Sequence, residues 1–409
     1  MIKMPLSGVK FNFDKGGIIK NGIVRDFLPN SVFVPICFLK QHEFLMRVKI
    51  GDSVRKGQIL AQDVSDNCAI YSPYNGKITQ FWDMRHPFYR HVKCVELKVD
   101  ENQDGHFDAA ADISYLNIDT IVACAKNASL VDEIDLEKLY VKLGLARQLN
   151  LKAVAVVAND DQPYMSSNTA VLIEHSREIQ KVLDMLMRVL NCTKGSFITY
   201  GDVSEHLEQD LSALIDIKVI KGKYPYLNEM EKTFDDETFY IGAQCALALY
   251  NACVFGLKQT SIVVSVDGDC IENPANFEVG YGTQVSDIIE RCNVVGKPGR
   301  IITGGPLTGR ALSPSSVIFP ALTSITISTH TGSRKSDVCI GCGKCGANCP
   351  VKLTPSLIIK DMQNERFNTK LMKSAENCVC CGICSYVCPS GINIKKVMTT
   401  CANLYTRHS

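Results

Sequence analysis

The sequence has neither an excess of charge of one sign nor a long hydrophobic run. Its 44 Lys and Arg residues balance 43 Asp and Glu residues, which leaves a formal net charge of +1. This balance gives no support for a nucleic-acid partner. The most apolar stretch, Ala243 to Leu257, is shorter than the ~20 residues that a membrane-spanning helix needs, and it has the length of a buried helix. We therefore expect membrane contact only through partner proteins.

A signal peptide is also missing from the start of the sequence, since Met1 to Leu6 contain no apolar core of the required length. We expect a cytoplasmic protein, with peripheral placement at the inner face of the membrane as an extension of that prediction. The cytosol is reducing, so the 19 cysteines are not expected to form disulfides. Nine of them are scattered before residue 300, where small buried hydrophobes are the simplest interpretation, and ten fall in the last 71 residues.

The C-terminal cysteines form two copies of the pattern C-x2-C-x2-C-x3-C-P, from Cys339 to Pro350 and from Cys378 to Pro389. This spacing places three thiolates around one 4Fe-4S cluster and directs the fourth toward the neighbouring cluster. The predicted ligands of the first cluster are Cys339, Cys342, Cys345 and Cys388. Those of the second are Cys378, Cys381, Cys384 and Cys349. Cys380 and Cys401 do not fit the spacing, and we interpret them as non-ligands.

Zinc is the main alternative for these motifs, because it also binds four thiolates. Zinc sites favour paired C-x2-C units separated by a long spacer, and this spacer is missing here. A purely structural cluster is a second alternative, which two tandem motifs make a poor fit. Both alternatives stay open at this point, and two closely spaced clusters that pass single electrons are the preferred interpretation.

The rest of the chain divides by pattern into three units before the cluster unit. Short alternating strands between residues 30 and 100 favour two halves of a barrel-sandwich domain. Apolar runs such as Ala153 to Val157, alternating with helical stripes such as Ile173 to Leu190, predict an α/β layer with a mostly parallel sheet. Residues 238–258 are predicted to form a buried helix, and Ser261 to Asp269 a hairpin that opens a strand-rich module.

Two further features lie near the cluster motifs. Gly304, Gly305 and Gly309 allow a close backbone approach, or simply a tight turn. From His330 to the C-terminus there are eleven Lys or Arg residues and four Asp or Glu residues. Part of this positive charge would compensate the negative charge of the clusters. The alternative is a basic face that receives an acidic redox partner.

The order of several motifs resembles the C subunit of the Rnf electron-transport complex (RnfC-like family) and its relatives. These relatives include the proline-reductase-associated electron transfer protein and the cobalamin reductase of propanediol utilisation. Besides the cysteine motifs, the resemblance rests on Phe13 to Ile18, Lys223-Tyr224-Pro225, Asp267 to Thr283 and Gly304-Gly305-Pro306. It implies an α/β multidomain fold with four parts: a barrel-sandwich domain (1–105), a complex-I-flavoprotein-like α/β domain (106–258), a β-grasp or SLBB-like module (259–328) and a two-cluster ferredoxin-like domain (329–409).

The resemblance also implies FMN, and often NADH, at the loop after Val157. The residues that would form this flavin site are Asp160, Asp161, Lys223, Tyr224 and Glu229. The sequence departs from the family pattern here, because the glycine-rich loop expected before the strand is represented by Val141 to Asn150, which contains one glycine. A glycine-poor loop hinders the approach of backbone to phosphate. We therefore expect nicotinamide binding, and FMN binding with it, to have been lost.

Three functions follow from these observations. The first is an iron-sulfur relay that passes electrons between a donor and a partner reductase or an Rnf-like membrane complex, with no catalytic residue of its own. The second is a complete NADH:acceptor oxidoreductase that uses FMN and both clusters. The third is a scaffold in which the clusters are structural. The donor and the acceptor are not encoded in any motif.

Overall fold

The computed structural model describes residues 8–11, 21–38, 43–87, 91–103, 111–201, 203, 207, 214–320, 322–329, 338–366 and 368–406. The fold is mixed α/β and ends in a helical unit that carries the cysteine motifs. The motif from Phe13 to Ile18 and residues 330–337 lie outside the described residues. Among the helices described, none is both long enough and apolar enough to span a membrane.

The N-terminal unit consists of two small antiparallel sheets that face a shared core. Its strands alternate buried and exposed positions, so one face of each sheet packs inward around Val32, Leu60, Ile78 and Leu97. This agrees with the predicted short alternating strands. The sheets have the orders β2-β8-β7-β4 and β3-β5-β6. The strands are β2 (Ser31–Pro35), β3 (Phe44–Met46), β4 (Ser53–Val54), β5 (Ile59–Asp63), β6 (Ala69–Tyr71), β7 (Gly76–Arg85) and β8 (His91–Val99).

The central unit is a four-stranded parallel sheet covered by helices, as predicted. Its strands are in the order β11-β10-β9-β12. Helices cover the sheet, so Val154 to Ala158 of β9 are buried and the strand forms a continuous apolar run. The strands are β9 (Ala153–Ala158), β10 (Lys194–Thr199), β11 (Ile215–Val219) and β12 (Thr238–Gly242). The helices are α1 (Ile118–Asn127), α2 (Leu139–Ala146), α3 (Ser167–Glu174), α4 (Ser176–Val189), α5 (Leu227–Thr233) and α6 (Ala243–Phe255), with a 3-10 turn at Ile113–Tyr115.

Two sequence predictions in this unit need correction. Residues 238–258 are not one helix, because Thr238–Gly242 form strand β12 and only Ala243–Phe255 are helical. Thr238-Phe-Tyr-Ile has the β-branched and aromatic composition of a strand, and its pairing with β9 completes the sheet. The predicted stripe from Ile173 to Leu190 is interrupted at His175, which separates α3 from α4. Its apolar face, Ile179, Val182, Leu183 and Leu186, is fully buried.

The third unit is a six-stranded sheet with the order β1-β14-β13-β17-β15-β16. The predicted hairpin within Ser261 to Asp269 is wrong, since this segment is the single strand β13, whose antiparallel partner is β14. The N-terminal strand β1 joins this sheet in parallel with β14, so residues from the predicted first domain complete the third unit. The elements are β1 (Ile23–Val24), β13 (Ser261–Gly268), β14 (Ala275–Gly280), α7 (Val285–Ile289), a 3-10 turn (Glu290–Cys292), β15 (Arg300–Thr303), β16 (Arg310–Leu312) and β17 (Ser324–Ser328).

The C-terminal unit is built from short helices around two similar loops. Each cysteine loop leads into a four-residue helix that is preceded by an N-cap glycine in the left-handed conformation, Gly343 before α8 and Gly382 before α11. The helices pack around a small core that includes Ile358, Met372, Met398 and several of the cysteines. The elements are α8 (Lys344–Ala347), α9 (Pro355–Gln363), α10 (Thr369–Lys373), a 3-10 turn (Ser374–Asn377), α11 (Ile383–Tyr386) and α12 (Ile394–Thr406).

Candidate functional site

All four predicted ligands of the first cluster line one cavity in the C-terminal unit. The cavity is lined by three cysteines of the first motif and the last cysteine of the second: Cys339, Cys342, Cys345 and Cys388. Gly343, Ser356, Ser390 and Ile392 complete much of the wall, and among the residues that the structure describes no carboxylate or histidine lines it. Four thiols in an otherwise largely apolar setting suit an iron-sulfur cluster, whose ligands are cysteine thiolates.

The remaining four predicted ligands also approach one another. Burial raises the pKa of Cys381, and the charge of Cys349 from the first motif raises it further. Burial, followed by the charges of Cys381 and Cys378, raises the pKa of Cys384 to about 12. Electrostatic effects of this kind require short separations. Cys349 of the first motif is therefore close to Cys381 of the second, and by the same effect Cys345 is close to Cys384.

Residues in the left-handed conformation occur at matching positions of the two loops, and Cys380 occupies one of these positions. Gly341 and Gly343 have φ values of 72° in the first loop, and Cys380 and Gly382 have φ values of 54° and 79° in the second. Cys380 thus has the place in its loop that Gly341 has in the other. Its thiol contacts the carbonyl oxygen of Cys378 at 3.7 Å. This placement is consistent with the interpretation of Cys380 as a non-ligand. Cys401 is buried in the core of the unit.

The second loop rests directly on the body of the protein. The hydroxyl of Tyr224 donates a hydrogen bond to the carbonyl oxygen of Cys381 at 3.0 Å. A Cβ atom on Gly382 would lie 2.3 Å from the carbonyl oxygen of Leu307, so only glycine allows this approach. The amino group of Lys395 donates to the carbonyl oxygen of Thr308 at 2.9 Å. These contacts fix the half of the unit that contains Cys381 against the central and third units.

A buried glutamine holds the loop that receives these contacts. Gln162 accepts hydrogen bonds from the backbone N–H groups of Leu307 and Thr308 at 3.1 and 3.3 Å, and it donates to the Thr308 hydroxyl at 2.6 Å. A Cβ atom on Gly305 would lie 2.3 Å from Gln162 Oε1. The glycines near residue 305 therefore serve the close backbone approach that the sequence suggested.

The residues named for a flavin site have different surroundings. Asp160 is fully buried, and its carboxylate accepts hydrogen bonds from the backbone N–H and the hydroxyl of Thr169, both at 2.7 Å, near the start of α3. Tyr224 is buried, and Lys223 is exposed. Glu229 falls within α5, but its side chain is outside the described residues.

Asp161 lies near a group of tyrosines. Burial raises the pKa of Tyr200, Tyr224 and Tyr226, and the charge of Asp161 raises each of them further. The rings of Tyr200 and Tyr224 both pack edge-on against Tyr226, with centroid distances of 5.5 and 6.0 Å. The ring of Phe11 packs against Tyr224 and also against Tyr386 of the cluster unit, with a centroid distance of 5.4 Å to Tyr386. Aromatic side chains thus occupy the space between the loop after β9 and the second cysteine motif.

Sequence reasoning missed a second acidic segment, which lies at the carboxyl edge of the parallel sheet. Glu133 accepts hydrogen bonds from the backbone N–H groups of Gln244 and Cys245, at 2.8 and 3.0 Å, at the start of α6. Its neighbour Asp132 accepts from the N–H of Gly242 at 3.0 Å and pairs with Lys142. Burial and the neighbouring Asp132 raise the pKa of Glu133 to about 8. The adjacent acidic residues in the sequence were the available signal.

These carboxylates bear directly on flavin binding. A phosphate at the edge of an α/β sheet binds the free N–H groups at the start of a helix. At α3 and α6, Asp160 and Glu133 already accept those hydrogen bonds. Val141 to Asn150, which take the place of the glycine-rich loop that the resemblance implies, lie in helix α2 and the turn after it. The residues at these two helix starts therefore do not fit the phosphate of FMN.

Comparisons with known proteins agree with the cysteine geometry. The family described as 4Fe-4S dicluster domain matches residues 338–392. The chain is 25% identical over 364 residues to the C subunit of the proton-translocating ferredoxin:NAD(+) oxidoreductase complex of Clostridium ljungdahlii, covering 81% of this chain and 78% of that protein. It is 21% identical over 395 residues to the C subunit of the Na(+)-translocating ferredoxin:NAD(+) oxidoreductase complex of Acetobacterium woodii, covering 87% of this chain and 89% of that protein.

Other relatives are longer than this chain. The C subunit of the ion-translocating oxidoreductase complex of Vibrio cholerae is 26% identical over 386 residues, and the match covers 85% of this chain but 48% of that protein. Among solved structures, an air-oxidized NAD+-reducing [NiFe]-hydrogenase chain is similar with a TM-score of 0.48 and 12% identity, over 71% of this chain and 62% of that chain. A likeness at that level carries no inference. The resemblance to the C subunits of Rnf-type oxidoreductase complexes therefore extends over most of the chain, and a 4Fe-4S dicluster domain matches its C-terminal unit.

Proposed function

We propose that this chain relays single electrons through two 4Fe-4S clusters, between a donor protein and a partner reductase or an Rnf-like membrane complex. The observation that carries the proposal is the cavity in which Cys339, Cys342 and Cys345 meet Cys388 of the other motif. That exchange of the fourth cysteine is what adjacent clusters in one small unit require. When bound, the clusters accept and release single electrons, so no acid-base residue is needed.

We propose the same ligand sets that the spacing predicts. Cys339, Cys342, Cys345 and Cys388 would hold the first cluster. Cys378, Cys381, Cys384 and Cys349 would hold the second. The N–H of Leu353, 3.3 Å from the sulfur of Cys349, supplies a hydrogen bond of the kind that adjusts cluster potentials. The four-domain division, at residues 105, 258 and 328, also remains a proposal.

A complete NADH:acceptor oxidoreductase is the alternative. It requires FMN to receive a hydride from NADH before single electrons can leave. The carboxylates of Asp160 and Glu133 at the starts of α3 and α6, and the tyrosines that face Asp161, argue against a flavin at this edge. We therefore propose that electrons reach the clusters from a protein donor, and that neither FMN nor NADH is a cofactor of this chain.

The relay and the oxidoreductase differ in flavin content and in NADH-dependent reduction of an acceptor. Anaerobically reconstituted protein should contain iron and sulfide, but little flavin after acid release. It should not reduce an artificial acceptor with NADH, while dithionite should reduce its clusters. Stoichiometric FMN together with NADH-dependent reduction of the acceptor would establish the oxidoreductase instead. Protein that binds zinc in preference to iron would reject both.

A further inference from the structure

The two halves of the cluster unit have different surroundings, and this difference orients the relay. The second cysteine loop is held against the body through Tyr224 and Leu307. The first loop faces outward. Cys342 is exposed, and the flanking side chains Val338 and Ile340 are 73% and 70% exposed. In the second loop, Val379 at the position of Ile340 is 45% exposed and Cys381 is partly buried, so the first loop is the more exposed of the two.

Two lysines frame this outward face. Lys344 is exposed and begins α8 directly after Gly343. Lys360 is exposed on α9, and its amino group lies over the first loop, 2.8 Å from where a Cβ atom on Gly341 would be. Neither lysine forms an ion pair with a carboxylate among the described residues. Asp361, Glu365 and Glu376, the acidic residues of this unit within the described part, do not line the cavity.

The apolar part of the face continues along α9. Leu357 is 49% exposed and lies one turn before Lys360, so both side chains occupy the same face of the helix. An apolar centre with a charged rim is the usual anatomy of a protein interface, and electron-transfer interfaces are small. Unpaired positive charge at the rim selects a partner of negative charge and speeds its approach.

We propose that this face, defined by Val338, Ile340, Lys344, Leu357 and Lys360, docks a one-electron carrier protein with an acidic surface. The inference rests on the proposed relay and gives it a direction: the carrier exchanges electrons at the first cluster, and the second cluster faces the body. One electron moves between the reduced carrier and the oxidised protein, the carrier is oxidised as the protein is reduced, and no bond or proton is transferred.

The experiment measures binding, separately from electron transfer. An acidic [2Fe-2S] ferredoxin is titrated by calorimetry into the reconstituted two-cluster protein. The variant Lys344→Glu with Lys360→Glu should raise Kd on the order of tenfold at low ionic strength. At about 1 M salt, where the Debye length is about 3 Å, the two Kd values should converge. Leu357→Asp should also weaken binding.

The matched control is Lys77→Glu with Lys98→Glu. These two exposed lysines are cross-strand neighbours on β7 and β8, in a different unit. The control makes the same change in total charge, so its Kd should stay within about twofold of the wild type if local charge matters. All variants must keep the iron content and the reduced-cluster EPR spectrum of the wild type. If a charge-reversed variant fails to assemble its clusters, Leu357→Asp still tests the docking face, because Leu357 does not line the cavity.

Three results would overturn the docking proposal. The first is an equal loss of affinity in both double variants. The second is an unchanged Kd with altered cluster potentials, because the lysines would then only compensate cluster charge. The third is a dimer of this chain that Lys344→Glu with Lys360→Glu abolishes. Failure of the relay itself would look different: the ferredoxin would bind as expected, but it would neither reduce nor oxidise the clusters.

Discussion

The hydroxyl of Tyr224 donates a hydrogen bond to the carbonyl oxygen of Cys381, 157 residues further along the chain, at 3.0 Å. Tyr224 belongs to the loop between the central sheet and α5, and its side chain is 1% exposed. The contact therefore joins a buried residue of the α/β unit to a proposed ligand of the second cluster. It is a structural reason to expect the two units to behave as one body.

Tyr224→Phe should loosen this junction. Loss of the hydroxyl leaves a partly buried carbonyl oxygen without this donor, so we expect a decrease of about 1 kcal/mol in unfolding free energy. The reduction potential of one cluster should shift while that of the other stays constant, as measured by EPR-monitored redox titration.

The control for this prediction is Tyr240→Phe. Tyr240 accepts a hydrogen bond from the N–H of Asp235 at 2.7 Å within the α/β unit, and it has no role at the cysteine loops. Both cluster potentials should be unchanged in this variant. Equal shifts of the two potentials in Tyr224→Phe would contradict a local contact at Cys381.

Crossed ligation gives a pairwise prediction for cysteine variants. Cys342→Ser and Cys388→Ser should remove the same EPR signal, and Cys381→Ser and Cys349→Ser should remove the other. In each case iron should fall from about eight atoms per chain to about four, because each cluster holds four.

Cys380→Ser and Cys401→Ser are the matched controls, since both residues lie in the same unit but outside the proposed ligand sets. They should retain all the iron. Pairing of Cys349→Ser with Cys342→Ser in the EPR spectra would show instead that each motif binds its own cluster.

The ion pair between Lys138 and Asp63 should be costly to break from one side. Asp63 is fully buried, and the amino group of Lys138 contacts both Asp63, at 2.8 Å, and Asp66, at 2.6 Å. Lys138→Met leaves a buried carboxylate uncompensated, so unfolding free energy at pH 7 should fall by about 3–5 kcal/mol in denaturation experiments. Lys152→Met is the control, because its partner Glu237 is exposed, and it should cost no more than about 1 kcal/mol.

The loss of stability in Lys138→Met should depend on pH. Burial raises the pKa of Asp63 and Asp66, but the hydrogen bonds from Lys138, together with those from Ser65 to Asp63 and from Tyr140 and Cys68 to Asp66, hold both pKa values below the ordinary value of 3.8. Their contribution to wild-type stability is therefore present above pH 3.8 and is lost as the pH falls through the lowered values. Without Lys138, burial dominates at Asp63, so the deficit of the variant should shrink on acidification. A deficit independent of pH would contradict this account.

Asp160 should act through stability rather than cofactor content. Asp160→Ala removes the acceptor of two hydrogen bonds from Thr169 at the start of α3, and we expect a loss of about 1–3 kcal/mol. Asp112→Ala, which removes an exposed acceptor of the Ser114 N–H, should reduce stability much less than Asp160→Ala. If Asp160→Ala lowered a measurable flavin content without lowering stability, the capping role would be rejected.

Much of the fold was readable in the sequence because it depends on local periodicity. The apolar run from Ala153 to Val157 could be assigned to a buried parallel strand, and the stripe through Ile179 and Leu186 to a packed helix. Thr238 to Gly242 were misassigned because an apolar run next to a helix gives no signal of where strand ends and helix begins. Pairing with β9 decided the outcome, and that partner lies about 85 residues away.

The sequence by itself determined the chemistry of this protein, because the spacing of eight cysteines defines which sulfurs can meet around a cluster. Only the tertiary structure decided what surrounds that chemistry. Several of these features join segments that are distant in sequence, such as the contact of Tyr224 with Cys381 and the capping of α6 by Glu133. Others, such as the exposure of Cys342, depend on what the rest of the chain covers. No local pattern encodes such contacts, since they form only when separate units pack together.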